Sequence, residues 1–191
     1  MPFAALFTNE SFLPLRKTEI RNMLTENAEE ASIKVFNQNL SGLLLQPPIK
    51  DKIVMGFDPG YRTGCKVAVV DETGKVLDTN VVYCTLPNHD KDKAKKILTD
   101  MILGNNVNLI SIGNGTASKE SEIFISDLLK EIDREVFYIM TNEAGASVYS
   151  ASKLATEEFP QYDVALRSAV SIARRVQDPL AELVKIDPKS I

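Results

Sequence analysis

Apolar residues in the first quarter of the chain recur at the helical period. From Ala28 to Leu45, positions Ala28, Ala31, Val35, Phe36, Leu40, Leu43 and Leu44 fall at three- and four-residue steps. Pro47-Pro48 ends that pattern, because neither proline can donate to a helix ladder. A shorter helix is expected over roughly residues 15–27. At Lys52 the pattern changes to short apolar runs bounded by turn residues. Ile53–Phe57 reads as a strand that meets the turn Asp58-Pro59-Gly60. Cys65–Val70 and Val76–Tyr83 read as two more strands, joined by the hairpin loop Asp71-Glu72-Thr73-Gly74.

Helices and strands then alternate. Helix is expected over 90–103, strand over 107–112, helix over 117–132, strand over 136–140, and helices over 144–155 and 163–176. A short helix follows Pro179. Three strands joined by short turns pair antiparallel, whereas strands separated by helices add in parallel through right-handed crossovers. The predicted fold is α/β: a mixed five-stranded ribonuclease H-like sheet flanked by helices, behind an N-terminal helical segment. The expected division is 1–50 helical, 51–177 the sheet domain, and 178–191 the start of a further connection.

Composition narrows the function classes. The 191 residues carry 22 Lys+Arg against 26 Asp+Glu, and residues 51–150 hold the entire net charge of −4, which argues against a strong non-specific grip on nucleic acid. The two cysteines, Cys65 and Cys84, form neither a disulfide framework nor a zinc site, and are expected to be reduced strand residues. His89 is the single histidine and is expected at a solvated helix start. No apolar run approaches the length of a membrane span and no secretory signal is present, so a cytoplasmic protein is expected.

The candidate chemistry lies at the carboxyl ends of the strands, where open α/β sheets bind ligands. Asp58 closes the first strand, and Glu143 follows the fifth within Thr141-Asn142-Glu143-Ala144-Gly145. The loop Gly113-Asn114-Gly115-Thr116 follows the fourth. Two carboxylates at neighbouring strand ends suit a divalent metal, Mg2+ or Mn2+, held through oxygen. Each also has an ordinary structural role: Asp before Pro-Gly as a turn former, Glu143 in a helix's first turn. The glycines of the 113–116 loop fit a tight strand-to-helix turn, and no Walker ending follows them.

The strings GFDPGYRTGCKVAVVD (56–71), IGNGTASKE (112–120), NEAGASVYSAS (142–152) and SAVSIARRVQDPLAELVKIDPKS (168–190) resemble, in this order, the central region of the bacterial transcription accessory proteins of the Tex family. That region is a YqgF/RuvC-type ribonuclease H-like domain, and the resemblance runs from about residue 28 to the C-terminus. It implies a fragment of a longer protein that carries helix-hairpin-helix and S1 domains. It also implies association with transcription and binding of nucleic acid, RNA more than DNA, chiefly through the domains beyond this chain.

The resemblance also sets a nuclease pattern against which the chain can be checked. Asp58 matches the acid at the end of strand one. Glu143 matches the acid after strand five, although Ala144 stands where the YqgF motif has arginine. The last acid belongs near the start of the final helix, where the alignment places Leu166 or Arg167, and Asp163 lies one turn earlier, about 6 Å along the axis. Asp58, Glu143 and Asp163 are therefore vestigial catalytic candidates, with Asp58 and Glu143 as the metal candidates. The expectation is a nucleic-acid-associated scaffold without nuclease activity. Arg62, Lys119, Arg167, Arg174 and Arg175 are its phosphate-contact candidates, and a salt-bridged helix end is the plainer role for the Arg174-Arg175 pair. The alternatives are an active metal-dependent nuclease using the three acids, and a protein-interaction module for the transcription machinery.

Overall fold

A computed structural model describes residues 12–191. Contacts divide the chain at Leu43/Leu44 into two units. The first is helix α1, which runs unbroken over Phe12–Leu44 where two helices were expected. Its continuity has a simple cause: no proline lies between Pro14, in the first turn, and Pro47, beyond the end.

The second unit is built on β1 (Val54–Asp58), β2 (Cys65–Val70), β3 (Val76–Val82), β4 (Leu109–Gly113) and β5 (Phe137–Thr141). Their order is β3-β2-β1-β4-β5. β1 pairs antiparallel with β2, and β2 with β3, while β1–β4 and β4–β5 are parallel. This is the ribonuclease H-like sheet predicted from the turn spacing. β1 is central, and Val54, Met55 and Phe57 are fully buried, as expected for a strand covered on both faces.

Helices cover both faces. Helices α2 (Lys91–Gly104) and α3 (Ser118–Glu131) close one side over Met55, Phe57, Val67, Val69, Ile110 and Ile112. Helix α6 (Val164–Gln177) closes the other, where Ala169, Val170, Ala173 and Val176 meet Val54, Ala68, Val70 and Leu109. The expected helix over 144–155 is instead two short ones, α4 (Ala146–Ser150) and α5 (Lys153–Glu158). Ser152 separates them: its backbone is extended, and its hydroxyl accepts from the Ala155 amide, starting α5 afresh. Helix α7 (Pro179–Leu183) and a 3-10 turn (Pro188–Ser190) complete the chain. Among the described residues, no helix is long and apolar enough to cross a membrane.

Candidate functional site

The parallel pairing of β1, β4 and β5 brings their carboxyl ends together, and with them Asp58 and Glu143. Asp58 is largely withdrawn from water. Burial pushes its carboxyl above the ordinary range, against a hydrogen bond from Ser168 and the charge of Lys66. The Lys66 ammonium is itself engaged, donating to the Thr63 carbonyl at 2.8 Å and the Gly64 carbonyl at 2.9 Å.

Glu143 lies over the β4–α3 loop. Its amide donates to Asn114 Oδ1 at 3.2 Å, and the Asn114 amide donates to the Thr141 carbonyl at 3.0 Å, so the β5 and β4 loops are laced together. The glycines of this loop make room for the carboxylate. A Cβ on Gly115 would sit 2.6 Å from Glu143 Cδ, and one on Gly113 would sit 3.3 Å from it. Neither glycine has a positive φ, so space rather than backbone conformation requires them. Burial raises the Glu143 carboxyl, and the neighbouring Asp58 charge adds to that. The Gly115 amide and Arg175 pull in the opposite direction.

Helix α6 supplies the third member. It presents Ser168, not Leu166 or Arg167, to Asp58. One face of α6 then carries Ser168, Ser171 and Arg175, spaced at helical steps. Ser171 donates to Glu182 at 3.0 Å. Arg175 is buried and donates to the carbonyls of Asn142 (2.7 Å) and Ala144 (2.8 Å), on either side of Glu143. Glu143 Oε2 and Arg175 Nε and Nη2 are buried without hydrogen-bond partners.

The other candidates fall elsewhere. Asp163 is exposed and serves as the N-cap of α6, accepting from the Leu166 amide at 2.8 Å. Arg167 is buried and donates to the Phe159 carbonyl (3.1 Å) and Thr156 Oγ1 (2.8 Å). Arg174 donates to the Gly74 carbonyl and pairs with Glu158, both at 2.6 Å. All three α6 arginines thus spend donors on the fold itself: Arg174 takes the salt-bridged role expected as the plainer one for the Arg174-Arg175 pair, while Arg167 and Arg175 bind mainly backbone carbonyls. Arg62 and Lys119 are exposed, on the β1–β2 turn and the first turn of α3. Tyr61 OH donates to Glu120 Oε1 at 3.1 Å and ties those two elements together. His89 lies in the turn before α2, where its Nδ1 accepts from the Leu86 amide at 3.2 Å.

A divalent ion at this point would be offered two carboxylates, one neutral hydroxyl and a buried guanidinium beside Glu143. Among the described residues, no three His, Cys, Asp or Glu side chains gather as a cation site. Mg2+ keeps several of its waters and is commonly held by one or two carboxylates, so Asp58 and Glu143 would be its ligands here and the Arg175 guanidinium its competitor.

Fold and site together define a ribonuclease H-like domain with a carboxylate pair at its strand ends. The family model for the Tex protein YqgF-like domain matches residues 52–177. The chain belongs to the Tex protein family. It is 57% identical over 182 residues to the uncharacterized protein YdcI of Bacillus subtilis, covering 93% of this chain and 25% of that protein. The transcriptional accessory protein Tex of Neisseria gonorrhoeae is 51% identical over 181 residues, covering 94% and 23%. The human S1 RNA-binding domain-containing protein 1 is 47% identical over 190 residues, covering 96% and 19%. The chain therefore spans a quarter or less of the length of these relatives. Among solved structures, RuvC of Thermus thermophilus matches with a TM-score of 0.44 and 16% identity, covering 63% of this chain and 90% of that one.

Proposed function

We propose that this domain is a nucleic-acid-associated scaffold within a cytoplasmic transcription accessory protein, with the ribonuclease H-like architecture kept and the nuclease chemistry given up. RNA is its preferred class of nucleic acid, and the transcription machinery its setting. The observation that carries this reading is Ser168 opposite Asp58. Where a third acid would complete a metal site, the helix supplies Ser168, a neutral hydroxyl that acts on Asp58 only by easing its carboxyl downward. Arg175 supports it, because a fixed cation beside Glu143 competes with any divalent ion. Two relatives bear names that speak of transcription and of an RNA-binding domain. Arg62 and Lys119 are the exposed cations that would meet phosphate at this end of the sheet.

Calorimetric titration of Mn2+ tests the scaffold reading without any guess about substrate. The wild-type chain and Asp58→Asn should both give no saturable heat, whereas Ser168→Asp, which restores a third acid, should bind. Micromolar binding by wild type that disappears in Asp58→Asn overturns the proposal in favour of an active metal-dependent nuclease. That second reading is favoured by one feature, the buried and unpartnered Glu143 Oε2, an oxygen placed as a metal ligand would be. For the nucleic-acid contact, a labelled single-stranded RNA oligonucleotide should bind more weakly to an Arg62→Glu/Lys119→Glu double variant than to wild type. Equal binding removes that face from the proposal.

A further inference from the structure

Cys65 opens β2, and Cys84 lies two residues beyond the end of β3, on the same side of the sheet. Both thiols are free and buried in the core beneath α2 and α3. Their sulfurs are in contact at 3.8 Å. The carboxylate site uses neither of them. Cys65 Sγ also approaches the Gly60 carbonyl at 3.6 Å and the Ser121 hydroxyl at 3.9 Å. Thr85, next to Cys84, donates to that same Gly60 carbonyl at 2.8 Å. The pair therefore sits directly under the turn that follows Asp58.

The two thiols are not equivalent. A hydrogen bond between them lowers the Cys65 thiol and raises that of Cys84. Cys65 is thus the more readily deprotonated sulfur, with an unionised thiol against it as partner.

We propose that Cys65 and Cys84 are an oxidative modification site, closing to an intramolecular disulfide on exposure to a hydroperoxide. The Cys65 thiolate attacks one peroxide oxygen and the O–O bond breaks. The leaving oxygen takes a proton and departs as water (as the alcohol for an alkyl hydroperoxide), and Cys65 becomes a sulfenic acid. The Cys84 sulfur then attacks the Cys65 sulfur and the S–O bond breaks. The hydroxide takes up the Cys84 proton and leaves as water. Two electrons pass from the thiols to the peroxide, and no other reductant is needed. The sulfurs must close from 3.8 Å to about 2.05 Å. The bridge fastens the start of β2 to the segment after β3, on either side of the Gly60 carbonyl, and so fixes the Asp58–Gly60 turn. Burial makes the reaction wait on local opening of the β3 end and keeps it within one molecule.

The test treats the 191-residue chain with hydrogen peroxide, then denatures it, alkylates it with iodoacetamide and measures its intact mass. The expected product is two hydrogens lighter and takes up no alkyl group, and dithiothreitol restores alkylation at both cysteines. In Cys84→Ser, Cys65 should be trapped by dimedone as the sulfenic acid. In Cys65→Ser, Cys84 should stay unmodified under the same exposure. Two alkylatable thiols in treated wild type, disulfide-linked dimers, or oxygen added to Cys84 in place of a bridge would each overturn the proposal. The wild-type mass alone decides it if either variant fails to fold.

Discussion

Gly56 lies in β1 directly under α6, and replacing it with alanine would test how the site is held. An added Cβ would stand 2.8 Å from the Ala173 nitrogen and 2.9 Å from the Ala173 Cβ, and nearer still to the Ala169 carbonyl oxygen. Two of these three atoms are helix backbone, so no side-chain rotation relieves the overlap. Helix α6 would have to withdraw by about 1 Å to restore ordinary contact distances. Withdrawal loosens Ala169, Val170, Ala173 and Val176 from Val54, Ala68, Val70 and Leu109 together. Overpacking a core costs about 1–3 kcal/mol, and a rigid backbone obstacle puts this case at the upper end. At roughly 2–4 °C per kcal/mol for a chain of this size, Gly56→Ala should melt about 6–12 °C below wild type. Thermal melts followed by circular dichroism measure this. Adding Ala173→Gly removes the Cβ contact but leaves both backbone atoms in place, so it should recover only a small part of the loss. A Gly56→Ala variant that melts within about 2 °C of wild type, or full rescue by Ala173→Gly, would refute the close helix–sheet contact.

Burial raises the Asp58 carboxyl, so its stabilising contribution is full below the ordinary carboxylate value of about 3.9 and is lost as pH rises through the folded value. Asp58→Asn cannot ionise, so its stability relative to wild type should improve between about pH 4 and pH 7 in urea titrations; a change of the opposite sign rules out desolvation as the dominant cause. Arg175→Met leaves the Asn142 and Ala144 carbonyls without their donor and Glu143 without its nearest cation. It should cost about 1–3 kcal/mol, as for buried acceptors left without a donor, and hydrogen exchange should rise at residues 142–146; a neutral outcome would show that the guanidinium is dispensable there. Glu158 accepts from Arg174, Lys185 and Tyr149. Glu158→Gln should destabilise the chain, with a smaller effect at high salt because the group is partly exposed; equal destabilisation across salt concentrations would assign the loss to hydrogen bonding alone.

The sheet was legible because its signals are local. The 71–74 loop marks the β2–β3 hairpin, and the helical periods of 90–103, 117–132 and 163–176 reappear as α2, α3 and α6 to within a residue or so. Asp58 and Glu143 could be paired from topology, since each ends a strand or follows one. What the pattern left open depends on contacts distant in sequence. Ser168 meets Asp58 across more than a hundred residues, and placing it needs the rotation of α6 about its axis, which alanine-rich spacing alone leaves off by a residue or two. Arginine in a helix says nothing about whether its fork turns outward to a ligand or inward to a carbonyl. For Arg167 and Arg175 that choice is made by Phe159, Asn142 and Ala144. The Gly113 and Gly115 pair was visible as a turn signal, but the carboxylate it accommodates comes from a different loop.

The way α6 closes the far face of the sheet also sets the order of events during synthesis. Gln177 donates to the Lys52 carbonyl, 125 residues earlier in the chain. At roughly 5–20 residues per second, about 6–25 s separate the emergence of β1 from that of the helix that covers it. The fifth strand ends at Thr141, so for the last 36 residues before Gln177, about 2–7 s, all five strands can pair while Val54, Ala68 and Val70 still face water. Arrival of α6 buries that face and brings Ser168 up to Asp58. The nascent chain therefore passes through a stage with an uncovered apolar sheet, when a chaperone or a neighbouring nascent chain has most to bind.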